Sequence, residues 1–329
     1  MTIENLIRLI NGRIINKPSV SSVSDFVFEP KNIKRGYAFI ATNADENDIK
    51  DAIKHGAYAI ISEDELIPSD SEIAYIKVDS LQNALMRLMR FEATHKNLKF
   101  CSINAVQKAI IERMSLSKNA ILMPSEIKEL FYKIVKAKNG DIFFSNEVRV
   151  LQRITPLYDA VWTDTKAQAI NPSSIFFTTI ICDDVYYQNL NIPRVFMGMF
   201  CGLLHYFKQN NITFKLNDHR VFGHFEPIFI DKNFKPISFG SSFRALIIEK
   251  DEELFSIEAA YLYKNFSEDE VVLCLPRDSE IDAPQAFRYD DLSEIKSLKG
   301  FRYALILCDK NEILSMLNQS KDQKKLFEF

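Results

Sequence analysis

Short apolar runs alternate with amphipathic helical runs along the first half of the chain, and nothing else in the sequence narrows the fold so far. "YAFIAT" (Tyr37–Thr42) predicts a strand. "ENDIKDAIKHG" follows, with Ile49, Ala52 and Ile53 on one helical face and Gly56 as the stop. "AYAIIS" (Ala57–Ser62) and "AYIKV" (Ala74–Val78) predict the next strands. Ser80 then opens a helix in which Leu81, Leu85, Leu88 and Phe91 repeat at helical spacing. Units of this length imply parallel strands joined by right-handed crossovers.

The middle region repeats the alternation: "KFCSI", a helix over Asn104–Met114, "AILM", a helix over Ser125–Ala137, "DIFFS" and "YDAVWT". Past Pro172, "SIFFTTIIC" and "VYYQNLNI" flank Asp183–Asp184 and read as a hairpin. An apolar helix follows from Pro193 to Tyr206. Strands "EPIFID", "VVLCL" and "YALILC" then alternate with helices around Ile257–Tyr263, over "DDLSEIKSL" and over Lys310–Asn318.

At 329 residues there is room for two or three domains. A net charge of −3 provides no bulk attraction to nucleic acid or anionic lipid. Cys101, Cys182, Cys201, Cys274 and Cys308 form no C-x-x-C motif and sit in apolar stretches, as buried reduced thiols do. The N-terminus has Glu4 before a short amphipathic run and no basic segment, so it does not read as a signal peptide. "VFMGMFCGLLHYF" falls short of the roughly 20 residues a membrane helix needs. These features predict a cytoplasmic protein without membrane insertion. None of the nine glycines stands in G-x-G or G-x-x-x-x-G-K spacing. A phosphate cradle needs small residues so that consecutive N–H groups approach the anion, and the standard fingerprints are absent from the whole chain.

The stretch "NIKRGYAFIATNADENDIKDAIKHGAYAIISED" resembles the N-terminal substrate domain of Mur ligases, which add amino acids or dipeptides to UDP-N-acetylmuramic acid using ATP. The members adding the third residue or the terminal dipeptide look most similar. Ile33, Gly36, Phe39, Ala41, Asp51, Ala52, Ile53, Gly56 and Ala57 stand at matching places. The resemblance covers about the first hundred residues and returns faintly in "IFFTTIICDDVYYQNLNIPRVFMGMFCGLLHYFKQNNI" and in "GHFEPIFID", where His224 replaces the family's arginine. It implies a site for a UDP-sugar or cell-wall precursor at Glu29, Lys31, Asn43, Asp45 and Asn47. The family's aspartate-serine-arginine has become Glu29, Pro30 and Lys31, and its glycine-histidine has become Glu46 and Asn47.

The family's ATP-holding loop, threonine-glycine-threonine-asparagine-glycine-lysine-threonine, corresponds to Ser102, Ile103, Asn104, Ala105, Val106, Gln107 and Lys108. Both glycines are gone, and branched Ile103 and Val106 resist the backbone geometry of such a loop. Ser102, Asn104 and Lys108 are what remains of a degenerate nucleotide loop. Lys108 reads more simply as a solvated helix lysine.

Other candidates are local. Asp183 and Asp184 share a divalent cation only if a turn brings them to one side; a solvated hairpin tip is the simpler reading. His219, His224 and Glu226 invite zinc but lack ligand spacing. Lone His55, His95 and His205 have no nucleophile beside them. Gly198 and Gly202 allow close helix packing. Gln323, Leu326 and Phe327 in "DQKKLFEF" resemble the short peptide with which bacterial replication and repair proteins hook the sliding clamp, so a protein partner at the tail is a further expectation.

The expected fold is α/β with mostly parallel sheets, in a Mur-ligase-like multidomain architecture. A substrate-type domain spans 1–97, a reduced central domain without a P-loop spans 98–222, a Rossmann-like domain spans 223–320, and 321–329 form a tail. The expected function is a non-catalytic binding or scaffold module linked to peptidoglycan assembly, with no metal, cofactor or catalytic residue. An ATP-dependent UDP-muramyl peptide ligase with a non-standard loop, and an interaction protein acting through its tail, are the alternatives.

Overall fold

A computed structural model describes residues 1–163, 167, 169–170, 174–217 and 222–325. The elements begin α1 (Ile3–Ile10), β1 (Arg13–Ile14), β2 (Phe26–Val27), β3 (Ala38–Ile40), α2 (Glu46–Lys54), β4 (Ala59–Ser62), β5 (Ala74–Lys77) and α3 (Leu81–His95). Next come β6 (Lys99–Ser102), α4 (Ala105–Glu112), β7 (Met114–Leu116), β8 (Ala120–Leu122), α5 (Ile127–Lys136), β9 (Ile142–Ser145), α6 (Val148–Ile154) and β10 (Asp159–Ala160). The hairpin β11 (Thr178–Cys182) and β12 (Val185–Leu190) precedes α7 (Met197–Gln209), β13 (Phe214–Leu216) and β14 (Glu226–Phe229). The chain ends with β15 (Ala245–Glu249), α8 (Glu252–Asn265), β16 (Val271–Pro276), β17 (Phe287–Tyr289), β18 (Tyr303–Leu307) and α9 (Lys310–Lys325).

The chain divides into two compact units, 1–104 with 116–160, and 105–115 with 161–329. The first unit holds two sheets. One has the order β1-β5-β4-β3-β2, parallel except for β1 at its edge, and the other has the order β10-β6-β9-β8, all parallel. The two sheets share a core. Helix α3 packs against α1, α5 and α6, and Leu85, Leu88 and Met89 join one apolar cluster with Phe26, Phe100, Phe131 and Phe143. Phe131 of α5 lies edge-on to Phe26 and Phe28 at ring distances of 5.9 and 5.5 Å. Beside it, the Phe28 N–H donates to the Tyr132 hydroxyl at 3.0 Å.

The second unit carries the hairpin, the pair β13–β7, and a sheet ordered β14-β15-β18-β16-β17, in which only β14 runs antiparallel. Its core gathers Leu246, Ile248, Cys274, Ala304, Ile306 and Leu317. The α/β class with mostly parallel sheets is as expected. No disulfide is present among the described residues; four cysteines are buried and Cys308 is half-buried. Among those residues no helix is long and apolar enough to cross a membrane.

Local differences from the sequence reading have local causes. Helix α4 stops at Glu112 because Met114–Leu116 pairs as a strand, with the Asn217 N–H bonded to the Arg113 carbonyl at 2.8 Å. "DDLSEIKSL" forms a 3-10 helix over Leu292–Ser297, opened by a capping box of Asp291 and Glu294. Phe91 stays exposed and stacks on His95 instead of entering the core. Helix α9 runs on to Lys325, so Gln323 is helical; Leu326 and Phe327 lie outside the described residues.

Because Phe131 is fully buried where it meets residues of the first sheet, Phe131→Ala is expected to cost about 3–5 kcal/mol. Urea unfolding checks this, and a loss below about 1 kcal/mol would mean the two sheets do not depend on that ring.

Candidate functional site

The connection from β6 to α4 consists of Ile103 and Asn104 alone. The Ile103 N–H donates to the Ser145 carbonyl at 3.0 Å, continuing the ladder between β6 and β9. Ile103 is 4% exposed, Val106 0% and Gln107 1%. An anion cradle works by turning successive N–H groups outward; here one is committed to the sheet and the following helical turn is buried. Ser102 closes β6, Asn104 is exposed between strand and helix, and Lys108 is half-buried on α4.

The five residues of the expected UDP-sugar site lie at the ends of neighbouring parallel strands. Glu29 and Lys31 follow β2, on and beside the 3-10 turn Pro30–Asn32, and Asn43, Asp45 and Asn47 follow β3. All five are exposed. Because β2 and β3 are paired and parallel, the loops leave the sheet at the same carboxyl edge, where open α/β sheets hold ligands. The Asp45 carboxylate accepts the N–H groups of Asn47 and Asp48 at 2.8 and 2.9 Å, capping α2. Its immediate role is therefore to shape the loop. Asn43, at φ +51°, makes the bend that leads into that cap.

In the second unit a different cluster was not read from the sequence. Glu249 ends β15, and its fully buried carboxylate accepts the N–H groups of Lys250 and Asp251 at 2.9 and 3.0 Å. His224 Nδ1 approaches both of its oxygens, at 3.1 and 3.0 Å. Phe225, fully buried at φ +52°, directs its own N–H to the same carboxylate at 3.4 Å. A bulky residue in the left-handed region costs about 1–3 kcal/mol, and the four groups gathered on Glu249 hold it there.

Glu258 of α8 lies beside Glu249, and a side-chain hydrogen bond between the two carboxyl groups adds to the forces that move their titrations apart. Burial, and then the Glu249 charge, push the Glu258 carboxyl well above the ordinary value. Burial also works to raise Glu249, but the His224 hydrogen bond and charge and the Asp251 N–H outweigh it and leave that carboxyl lowered. Of the two, Glu249 is shifted toward the anion and Glu258 toward the protonated acid.

His224 borders a pocket of about 230 Å³, whose lining includes Phe176, Phe222, Phe225 and Phe239. Glu226 at its rim pairs with Lys310 and accepts the Gly223 N–H. The described lining contains no serine, threonine or cysteine to act as a nucleophile. Of the zinc candidates, His224 and Glu226 are turned to different partners, and His219 lies outside the described residues. Of the lone histidines, the His55 ring meets the Asp51 carbonyl at the end of α2, and His205 meets Asp183.

A sequence signal for Glu258 exists: it shares the apolar helical face of Leu254, Phe255, Ala259 and Leu262. Glu249 carries no such mark, since an acidic residue after "ALII" reads simply as the end of a strand.

The proton on Glu258 has a consequence for stability. An acid whose folded value is raised keeps its proton where the unfolded chain has lost it, so stability falls as pH rises from the ordinary value of 4.5 toward the folded one. Glu249, being lowered, contributes stability above its ordinary value and loses it in acid. Melting temperature should decline as pH rises above 4.5 in the native chain and level off once the folded value is passed, and Glu258→Leu should flatten that decline. A decline of the same size in Glu258→Leu would refute the assignment of the raised carboxyl to Glu258.

No family model matches the chain, and no curated protein matches it. Among solved structures it is similar to the MurF ligase of Thermotoga maritima in complex with ADP, with a TM-score of 0.48 and 12% identity over 92% of this chain and 99% of that one. It is also similar to MurF from Acinetobacter baumannii, at 0.45 and 10% over 98% and 93% of the two chains. A UDP-N-acetylmuramoyl-L-alanyl-D-glutamate–2,6-diaminopimelate ligase gives 0.37 and 9% over 98% and 100%.

Proposed function

We propose that this chain is a non-catalytic Mur-ligase-like module that binds a UDP-sugar or related cell-wall precursor in the cytoplasm and does not hydrolyse ATP. The observation that carries the reading is the Ile103 N–H bound to Ser145, at the position where the family's pattern has a glycine of the phosphate loop. With Val106 and Gln107 also buried, the segment supports sheet and core instead of an anion. The exposed carboxyl edge beyond β2 and β3 is where a precursor would be held, with Lys31 facing its diphosphate and Asn43 and Asn47 offering amide groups to the sugar. A surface of this kind supports recognition without bond formation, since no activated nucleophile or phosphate clamp accompanies it among the described residues.

A thermal-shift panel on the full chain tests this. ATP with Mg²⁺ is expected to leave the melting temperature unchanged. A UDP-sugar or UDP-muramyl peptide is expected to raise it; a ligand at a hundred times its Kd adds about 2.7 kcal/mol. Lys31→Glu should weaken that gain several-fold while leaving the ligand-free melting temperature in place. A clear rise with ATP would overturn the non-catalytic reading in favour of a ligase with a non-standard loop.

A further inference from the structure

The hairpin of the second unit gathers a thiol, a carboxylate and an imidazole. Cys182 ends β11 on the same inward face as Thr178 and Ile180, and all three are buried. Asp183 and Asp184 form the two-residue turn at φ +50° and +65°, the positive values that a tight hairpin of type I′ requires. Against the hairpin lies α7, where Cys201, His205 and Lys208 recur at spacings of four and three and so share a face. Asp183 Oδ1 stands 3.0 Å from His205 Nε2 and 3.6 Å from Lys208 Nζ. One ligand atom from each of Cys182, Asp183 and His205 lies within 4.8 Å of the other two. Asp184 is not part of this group, so the paired-carboxylate alternative gives way to a mixed sulfur, nitrogen and oxygen set.

We propose that Cys182 Sγ, Asp183 and His205 Nε2 form a zinc-binding site, with the fourth position left to solvent. Thiolate, imidazole and carboxylate are the donors this borderline-soft cation takes. In tetrahedral zinc, with bonds of about 2.0–2.3 Å, ligand atoms stand roughly 3.3–3.7 Å apart. Side-chain rotation about a rigid hairpin and helix closes the remaining distance. Binding releases the Cys182 proton to water and replaces the hydrogen bond between Asp183 and His205 with two metal bonds. Lys208, the one cation beside Asp183 in the ion pairs given above, has a side chain 68% exposed and can withdraw into solvent as the zinc enters. The His205 and Asp183 side chains are 40% and 27% exposed, which gives the ion a path in.

The test uses the full chain, stripped with chelator and titrated with Zn²⁺ against a chromophoric competitor, with Co²⁺ in parallel. One zinc per chain is expected, and Co²⁺ should give a thiolate-to-metal charge-transfer band with intense tetrahedral ligand-field bands. Cys182→Ser should remove the charge-transfer band, and Cys201→Ser should keep it. His205→Gln and Asp183→Asn should each weaken zinc about tenfold or more. These two positions are partly exposed, so they decide the matter even if Cys182→Ser fails to fold. Absence of stoichiometric zinc, or zinc held equally well by H205Q and D183N, would overturn the proposal and leave an ion pair that pins hairpin to helix.

Discussion

Everything in the first unit depends on α3 being buried along most of its length. A helix that covers one sheet needs a single apolar stripe. Here Leu81, Ala84, Leu85 and Leu88 together with Met86, Met89 and Ala93 are all buried, which widens the stripe enough to serve α1 and, elsewhere on its surface, α5 and α6. Polar ends reinforce the attachment: Arg90 donates to the Arg153 carbonyl at 2.7 Å, and Arg153 donates to Asn83 at 2.9 Å. Two sheets that would each be small alone are in this way supported by one continuous core, which favours their folding together.

The second unit is specified differently. Its sheet is apolar, yet at the end of β15 a buried carboxylate organises the backbone around itself. Glu249 draws in three N–H groups and one imidazole, fixing the start of α8, the strained Phe225 and the orientation of His224 at once. A buried anion is costly unless it is satisfied in this way. Placing Glu258 behind it is affordable only because the second acid keeps its proton.

Much of the architecture was legible because its signals are periodic and local. Gly56 stopping α2, Ser80 capping α3 and the Asp183–Asp184 turn all appear where the sequence places them. Strands β1, β2, β7, β13 and β17 were not read, and each is only two or three residues long, too short to show alternation. The joint core of the first unit was hidden for another reason. The polar stretch His95–Asn97 looks like a linker, but it is the ordinary solvated end of α3. Sites built across sequence distance were hidden too: His224 and Glu249 lie 25 residues apart and Asp183 and His205 lie 22 apart, and neither spacing matches a motif.

The two-residue link between β6 and α4 bears on how this protein could change. Replacing Ile103 and Val106 by glycine would remove bulk but leave the amide of residue 103 tied to Ser145. Recovering such a loop therefore demands the surrender of the final rung between two core strands as well as the two glycines. Small side chains alone do not restore it.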